Sequence, residues 1–272
     1  MDALALRERM VGRLKAAGTI RSPAVERALR AVPRHAFIPN VPMEEAYADG
    51  VVFVKAHAGL TISSASQPTM IALMLEQLEV APGSRILEIG TGSGYNAALL
   101  AHLTGPNGFV TTVELEADLA GAAQHALALF GTANVRVVTG DGSGGYPGDG
   151  PYDREIVTAC ALDIAPAWWE QLRDGGRLVV PLALDQVQRS IAFERDGSLL
   201  RSASVIDCAF VALRGSAAQT PHAAGDRAMA IASGTMHVAA MRRNAIDPAV
   251  LARAEIVVER AATIFAIGSR RA

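Results

Sequence analysis

Leu87-Glu88-Ile89-Gly90-Thr91-Gly92-Ser93-Gly94-Tyr95 decides the fold, because an apolar strand here runs into a glycine-rich turn that opens a helix. Glycines let a backbone approach a ligand closely, and the free N–H groups at the start of the following helix attract negative charge or lone pairs. The spacing Gly90-x-Gly92-x-Gly94 differs from the G-x-G-x-x-G dinucleotide fingerprint. Glu88 sits at the strand end, where it would repel a pyrophosphate yet tolerate a zwitterionic amino-acid moiety. Taken alone, the stretch is also compatible with a generic nucleotide turn.

The sequence on either side narrows the reading. Arg85–Ile89, Phe109–Val113, Val135–Val138, Ile156–Val157 and Arg177–Val180 are short β-branched or apolar runs, and helical patterns lie between them at Tyr95–Leu103, Ala117–Phe130 and Pro166–Leu172. Such alternation predicts a doubly wound α/β fold, a mostly parallel sheet with right-handed crossover helices. Ser190–Glu194 and Val205–Leu213 have no helix between them, and with the turn Arg195–Ser198 they predict an antiparallel hairpin finishing the sheet. Glu114 closes the second strand about 20 residues beyond the glycines, where an acid can accept hydrogen bonds from both ribose hydroxyls of a nucleoside; the competing reading is a solvated strand-end carboxylate. Gly140-Asp141-Gly142 follows the third strand at the same sheet edge, and Asp141 either bonds an adenine amino group or forms a plain Asp-Gly turn.

Helical periodicity from Leu4 to about Ala17, and the capping pair Ser22-Pro23, predict two leading helices. Val32-Pro33-Arg34-His35-Ala36-Phe37-Ile38-Pro39 reads as an extended connector pinned by Phe37 and Ile38, with loop as far as Leu60. Thr61, Ser63, Ser64, Ser66 and Gln67 then form a polar run before the helical face Met70, Ile71, Met74, Leu75 and Leu78, a placement at a helix N-terminus that suits an anion. Three parts are expected: a helical and loop extension over 1–60 that contributes to the acceptor site, a catalytic core over 61–215, and a helical extension over 216–272, with helical periodicity returning at 247–265.

Half of the 272 residues are apolar and 19% are charged, which fits a globular, soluble chain. The N-terminus lacks the apolar stretch of a secretory signal, so a cytoplasmic location is expected, with no membrane partner. A net charge of −2 with scattered basic residues argues against nucleic acid. Cys160 and Cys208 have no neighbours at metal-ligand spacing, so no metal site is expected; they read as small core thiols, with a disulfide as the alternative.

The glycine turn, Glu114, Asp141-Gly142 and the closing Leu172–Pro181 resemble class I S-adenosylmethionine methyltransferases. Within them the chain is similar to the protein-L-isoaspartate O-methyltransferase family, through Gly18-Thr19-Ile20, Val32–Pro39, Thr61-Ile62-Ser63 with Ser66-Gln67-Pro68, Ile156–Ala159 and Phe210–Leu213, over roughly residues 10 to 215. Ser63-Ser64-Ala65 adds about three residues to the family pattern, Ala212 stands where proline is usual, and Arg154-Glu155 charges a strand start that is usually apolar. The serine-rich stretch and the residues after Gly215 look more like actinobacterial relatives that methylate an aspartate in a ribosomally made precursor peptide and drive it to an aspartimide.

The resemblance implies S-adenosylmethionine as cofactor, held by Glu88, Gly90, Thr91, Gly92, Gly94, Tyr95, Glu114, Leu115, Gly140, Asp141, Gly142 and Thr158. Thr158 is alternatively a strand terminator, and His57 is either a substrate contact or a solvent-exposed loop residue. A carboxylate is already ionised at neutral pH and needs no general base to attack a methyl sulfonium, so the protein's task is alignment. Ser63, Ser64, Ser66 and Gln67 supply the orienting donors, although one serine, Ser66 foremost, has the competing task of capping the next helix. The expected reaction is therefore O-methylation of a peptide aspartate or isoaspartate, with cyclisation to a succinimide, foremost on a dedicated precursor peptide. Protein repair, a small-molecule methyltransferase and a non-catalytic peptide binder are the alternatives.

Overall fold

The computed structural model describes residues 2–184 and 187–216 and, beyond them, strands at 229–231, 236–238, 254–259 and 264–269. Helices α1 (Ala3–Ala16) and α2 (Pro23–Ala31) lead, as periodicity predicts. Asp2 accepts the Ala5 N–H at 2.7 Å and Ser22 the Val25 N–H at 3.2 Å, so each helix starts at a side chain that satisfies an otherwise orphaned donor. The proline-bracketed connector departs from the extended form: Arg34–Phe37 makes a 3-10 turn, since Pro33 can precede a helical turn without losing a bond. Phe37 and Ile38 are buried, as expected.

After helix α3 (Met43–Ala46), the stretch expected as loop folds into a hairpin of β1 (Val52–His57) and β2 (Leu60–Ala65). Its turn residues Ala58 and Gly59 both take positive φ, +49° and +78°, which a two-residue hairpin turn requires. The boundary expected between 60 and 61 thus falls inside β2. Met10, Leu29, Phe37 and Tyr47 pack in one cluster with Leu75, Leu99 and Ile86 of the elements that follow.

Helix α4 (Pro68–Leu78) then precedes β3 (Arg85–Ile89), α5 (Tyr95–Thr104), β4 (Phe109–Glu114), α6 (Ala117–Phe130), β5 (Val135–Thr139), β6 (Tyr152–Val157), α7 (Pro166–Gln171), β7 (Leu172–Leu184), β8 (Val187–Asp196) and β9 (Leu199–Cys208). The main sheet runs β9-β8-β7-β6-β3-β4-β5, parallel from β7 to β5 and antiparallel among β7, β8 and β9. This is the doubly wound α/β fold that the alternation predicts. A second apolar cluster around Trp168, Trp169, Leu178 and Phe193 covers the other face. The strand expected at 205–213 is split, because β9 ends at Cys208 and Ala212 makes an isolated bridge to Cys160.

The helical expectation for 216–272 is corrected wherever the chain is described. Strands β10 (Met229–Ile231), β11 (Met236–Val238), β12 (Ala254–Glu259) and β13 (Ile264–Ser269) extend the sheet, with β12 antiparallel to β9. Ile256-Val257-Val258 is β-branched, and the edge of β9 offers it unpaired backbone groups. The rest of the periodicity noted at 247–265 lies outside the described residues.

Candidate active site

The strand order reverses between β6 and β3, and at such a switch point the crossover helices diverge and leave a crevice at the carboxyl ends of the strands. A cavity of about 1010 Å³, its open mouth included, lies there. Gly90, Thr91 and Gly92 of the glycine turn, Tyr95 of α5, Glu114 at the end of β4 and Leu115 beyond it all line it. Gly142 and Thr158 also line it.

Gly90 has φ +95°, and a Cβ there would meet Thr158 Oγ1 at 2.5 Å, so only glycine lets β3 and β6 approach this closely. Thr158 closes the gap by donating its hydroxyl to the Gly90 carbonyl at 2.7 Å. It therefore stitches the two strand ends together while also facing the cavity, which joins the two readings of that residue. Glu114 is buried, accepting the Gly92 N–H at 2.8 Å through Oε2 and the Glu116 N–H at 3.1 Å through Oε1. An ionised carboxylate has about four lone-pair sites, so two remain for donors entering the cavity.

Four of the residues expected to hold the cofactor are not on the cavity wall. Glu88 is wholly buried one layer behind it, accepting from Asn96 Nδ2 at 2.7 Å and from Thr112 Oγ1. Burial pushes its carboxyl up to about 7. Its service is to fix Asn96, which does line the cavity and which the sequence gives no motif to single out. Gly94 is absent from the wall because it packs on α6, a Cβ there lying 3.2 Å from the Ala123 Cβ, and it caps α5 at φ +84°. Gly140 and Asp141 are displaced because the Asp141 carboxylate turns to the chain itself, accepting from Ser143 N at 3.0 Å and Ser216 N at 2.7 Å. Burial raises that carboxyl, but the hydrogen bonds from Ser216 and Ser143 outweigh it and hold it at about 2.

On the opposite wall Ser63, Ser64 and Ser66 line the cavity with Ile62 and Ala65. A Cβ on Gly92 would stand 3.7 Å from Ser63 Oγ, so glycine turn and serine strand face each other at van der Waals distance. Gln67 is not on the wall; its amide donates to Asp49 Oδ2 at 3.0 Å. Nor does Ser66 cap α4. Asp49 does so from outside the helix, accepting Thr69 N at 2.9 Å and Thr69 Oγ1 at 2.7 Å. His57 is solvent-exposed and lies off the cavity wall.

Arg34, only 1% exposed, and the segment Phe210–Arg214 also line the cavity, though the sequence does not single them out as site residues. Arg34 lies within Val32–Pro39, a stretch that reads as a connector and carries part of the family resemblance, and its signal is a cation set among apolar and proline residues. Arg214 donates to Glu116 at 2.8 Å, and Lys55 of the hairpin donates to the same carboxylate at 2.6 Å, so one acid after β4 gathers both flanks of the opening. Both cysteines are free thiols. Among the described residues no helix is long and apolar enough to cross a membrane.

Comparison with known proteins places these features in context. Residues 5–218 match the family model described as Protein-L-isoaspartate(D-aspartate) O-methyltransferase (PCMT). A protein-L-isoaspartate O-methyltransferase of Methanopyrus kandleri is 43% identical over 77% of this chain and 91% of its own length. Protein-L-isoaspartate O-methyltransferase 1 of Rhodopseudomonas palustris is likewise 43% identical, over 78% of this chain and 84% of its own. A solved protein-L-isoaspartate O-methyltransferase superposes with TM-score 0.72 and 31% identity, covering 78% of this chain and 67% of that one. A Plasmodium falciparum structure in complex with S-adenosyl-L-homocysteine shares the fold, with TM-score 0.67, 23% identity, and coverage of 79% of this chain and 99% of that one.

Proposed function

Because the chain belongs to the protein-L-isoaspartate(D-aspartate) O-methyltransferase family, and is thereby an S-adenosylmethionine-dependent carboxyl methyltransferase, we propose that its acceptor is the free carboxylate of an isoaspartyl residue in a protein or peptide. The observation that carries this reading is the meeting, in one cavity, of the glycine turn with a hydroxyl-lined strand.

The residues present suit the cofactor. Glu114 keeps lone pairs for two ribose hydroxyls after binding Gly92 and Glu116, and the backbone at Gly90–Gly92 leaves room for a nucleoside to lie against it. Leu115, Ile89 and Gly142 offer an apolar surface for an adenine ring, and Asn96, held by Glu88, presents an amide toward the amino-acid end. Bound S-adenosylmethionine supplies an electrophilic methyl group.

The protein's part is then to bind, orient and exclude water. The acceptor is ionised at neutral pH, so no side chain need remove a proton, and hydroxyl donors suffice. Ser63, Ser64 and Ser66 line the wall facing the turn, and from there they hold the carboxylate in line without protonating it. The walls of Ile62, Ile71 and Met74 remove water from the site and so strengthen the attraction between opposite charges. Gln67 and Asp49 support this strand from outside the cavity.

A second reading is methylation of an aspartate in a dedicated precursor peptide, ending in an aspartimide. The serines at 63, 64 and 66 support it, and so does the sequence beyond residue 218, where the family match stops. One experiment separates the two. The enzyme is incubated with labelled S-adenosylmethionine and two peptides differing only in an aspartyl or an isoaspartyl residue, followed by mild alkali and mass analysis. Repair-type activity labels the isoaspartyl peptide, adds one methylene and releases labelled methanol in alkali as the imide closes. Exclusive labelling of the aspartyl peptide favours the second reading, and an alkali-stable label on either peptide overturns both.

A further inference from the structure

Arg34 is a buried cation whose charge is unmatched. Nε donates to the Ala46 carbonyl at 3.0 Å and Nη2 to the Ala65 carbonyl at 3.2 Å, while Nη1 has no partner among the described residues. No carboxylate among the described residues lies within ion-pair distance of it. Asp49 attracts it from farther away, but both Asp49 oxygens are committed to Gln67 and Thr69. Tyr95, whose ring centroid lies 5.3 Å from the Arg34 guanidinium carbon, adds a second buried polar atom without a partner, its Oη.

Burying a guanidinium without a counter-charge is costly, and two carbonyl bonds satisfy only part of its five donors. A neutral side chain of similar length would fill the space at less cost. Arg34 nonetheless lines the cavity and grips the carbonyl of Ala65, the residue between Ser64 and Ser66. Burial lowers its pKa, yet a guanidinium remains charged in proteins.

We infer that Arg34 is the fixed counter-charge of the acceptor carboxylate, and that it makes the site select a carboxylate over an isosteric carboxamide. This rests on the carboxyl-methylation reading. Nη1 is closed off from solvent, so Arg34 acts as a charge set behind the serine strand in a low-dielectric wall, a positioning residue for the anion in front. It leaves the attacking oxygen's proton balance untouched, since neither partner exchanges a proton.

The test uses two short peptides identical except that one carries the isoaspartyl carboxylate and the other its carboxamide. Binding of each to the enzyme saturated with S-adenosylhomocysteine is measured by calorimetry. The wild-type protein should prefer the carboxylate by roughly tenfold or more, the scale of a partly screened charge pair. In Arg34→Met that preference should collapse toward unity, and in Arg34→Lys a part of it should survive, with S-adenosylhomocysteine affinity unchanged in both. A purely structural role, through the Ala46 and Ala65 carbonyls, would weaken both peptides alike. Equal wild-type affinity for the two peptides overturns the inference even if the methionine variant fails to fold, and so does a preference that persists in that variant. Failure of the parent reading looks different: wild-type enzyme would then put no alkali-labile methyl on the carboxylate peptide.

Discussion

The glycine-turn half of the cavity and the serine half are built by different means. In the first, Gly90, Thr91, Gly92, Glu114 and Thr158 sit at the ends of neighbouring parallel strands, and backbone bonds such as Gly90 N–H to the Val113 carbonyl and Thr158 N–H to the Ile89 carbonyl, each 2.9 Å, follow from sheet register. In the second, Arg34, Ser63, Ser64 and Ser66 meet through a two-stranded hairpin held by side chains, Lys55 to Glu116 at 2.6 Å and Arg34 to Ala65 at 3.2 Å among them. Chain order nearly dictates a site made of strand ends. A site made of side chains on a small hairpin depends on long-range bonds, and so it can change without disturbing the sheet.

If the halves are separable, damage to one should spare the other. Glu114→Ala is expected to have the largest effect, removing the two charge-assisted hydrogen bonds proposed to ribose and lowering S-adenosylhomocysteine affinity on the order of a hundredfold. Calorimetry should find peptide binding nearly unchanged, and a matching loss there would show that the halves are one unit. Ser64→Ala should lower kcat by about tenfold, the scale of one orienting hydrogen bond in a transition state, with cofactor affinity intact. A fall in cofactor affinity would place Ser64 on the wrong side of the division.

The smallest effect sharpens the glycine-turn half alone. Burial holds the Glu88 carboxyl at about 7, above its value in the unfolded chain. Its contribution to stability is therefore complete below the ordinary glutamate range and is lost as pH rises through about 7. Glu88→Gln removes that dependence, so melting curves from pH 5 to 8 should show the wild type falling relative to the variant. Parallel curves would mean that Glu88 carries no such linkage.

The same division explains what the sequence made legible. The strands and helices from Arg85 to Phe130 follow from periodicity and glycines, with α6 matching its expected limits. Glu114 was legible because its distance from the glycines is fixed by one crossover helix. The hairpin was not, since Ala58 at positive φ is a poor turn signal and β1 mixes apolar and charged residues. Glu88 misled because strand alternation does not say which layer a strand-end side chain enters. Arg154-Glu155 was legible as an oddity only: Arg154 reaches the Glu79 carbonyl at 3.0 Å, whereas both Glu155 oxygens are buried without a hydrogen-bond partner among the described residues. The tail shows the opposite failure, where local helical periodicity yields to pairing with the edge of β9.

Asp49 changes what the pocket is free to become. Loss of a helix cap typically costs about 0.5–2 kcal/mol, a penalty that constrains any serine serving as one. Here that duty lies with Asp49, well before the helix and outside it, so Ser64 and Ser66 can be exchanged without unravelling α4. Descendants of this chain can therefore drift toward new acceptors by altering those two positions, with little loss of heat resistance to hold them back.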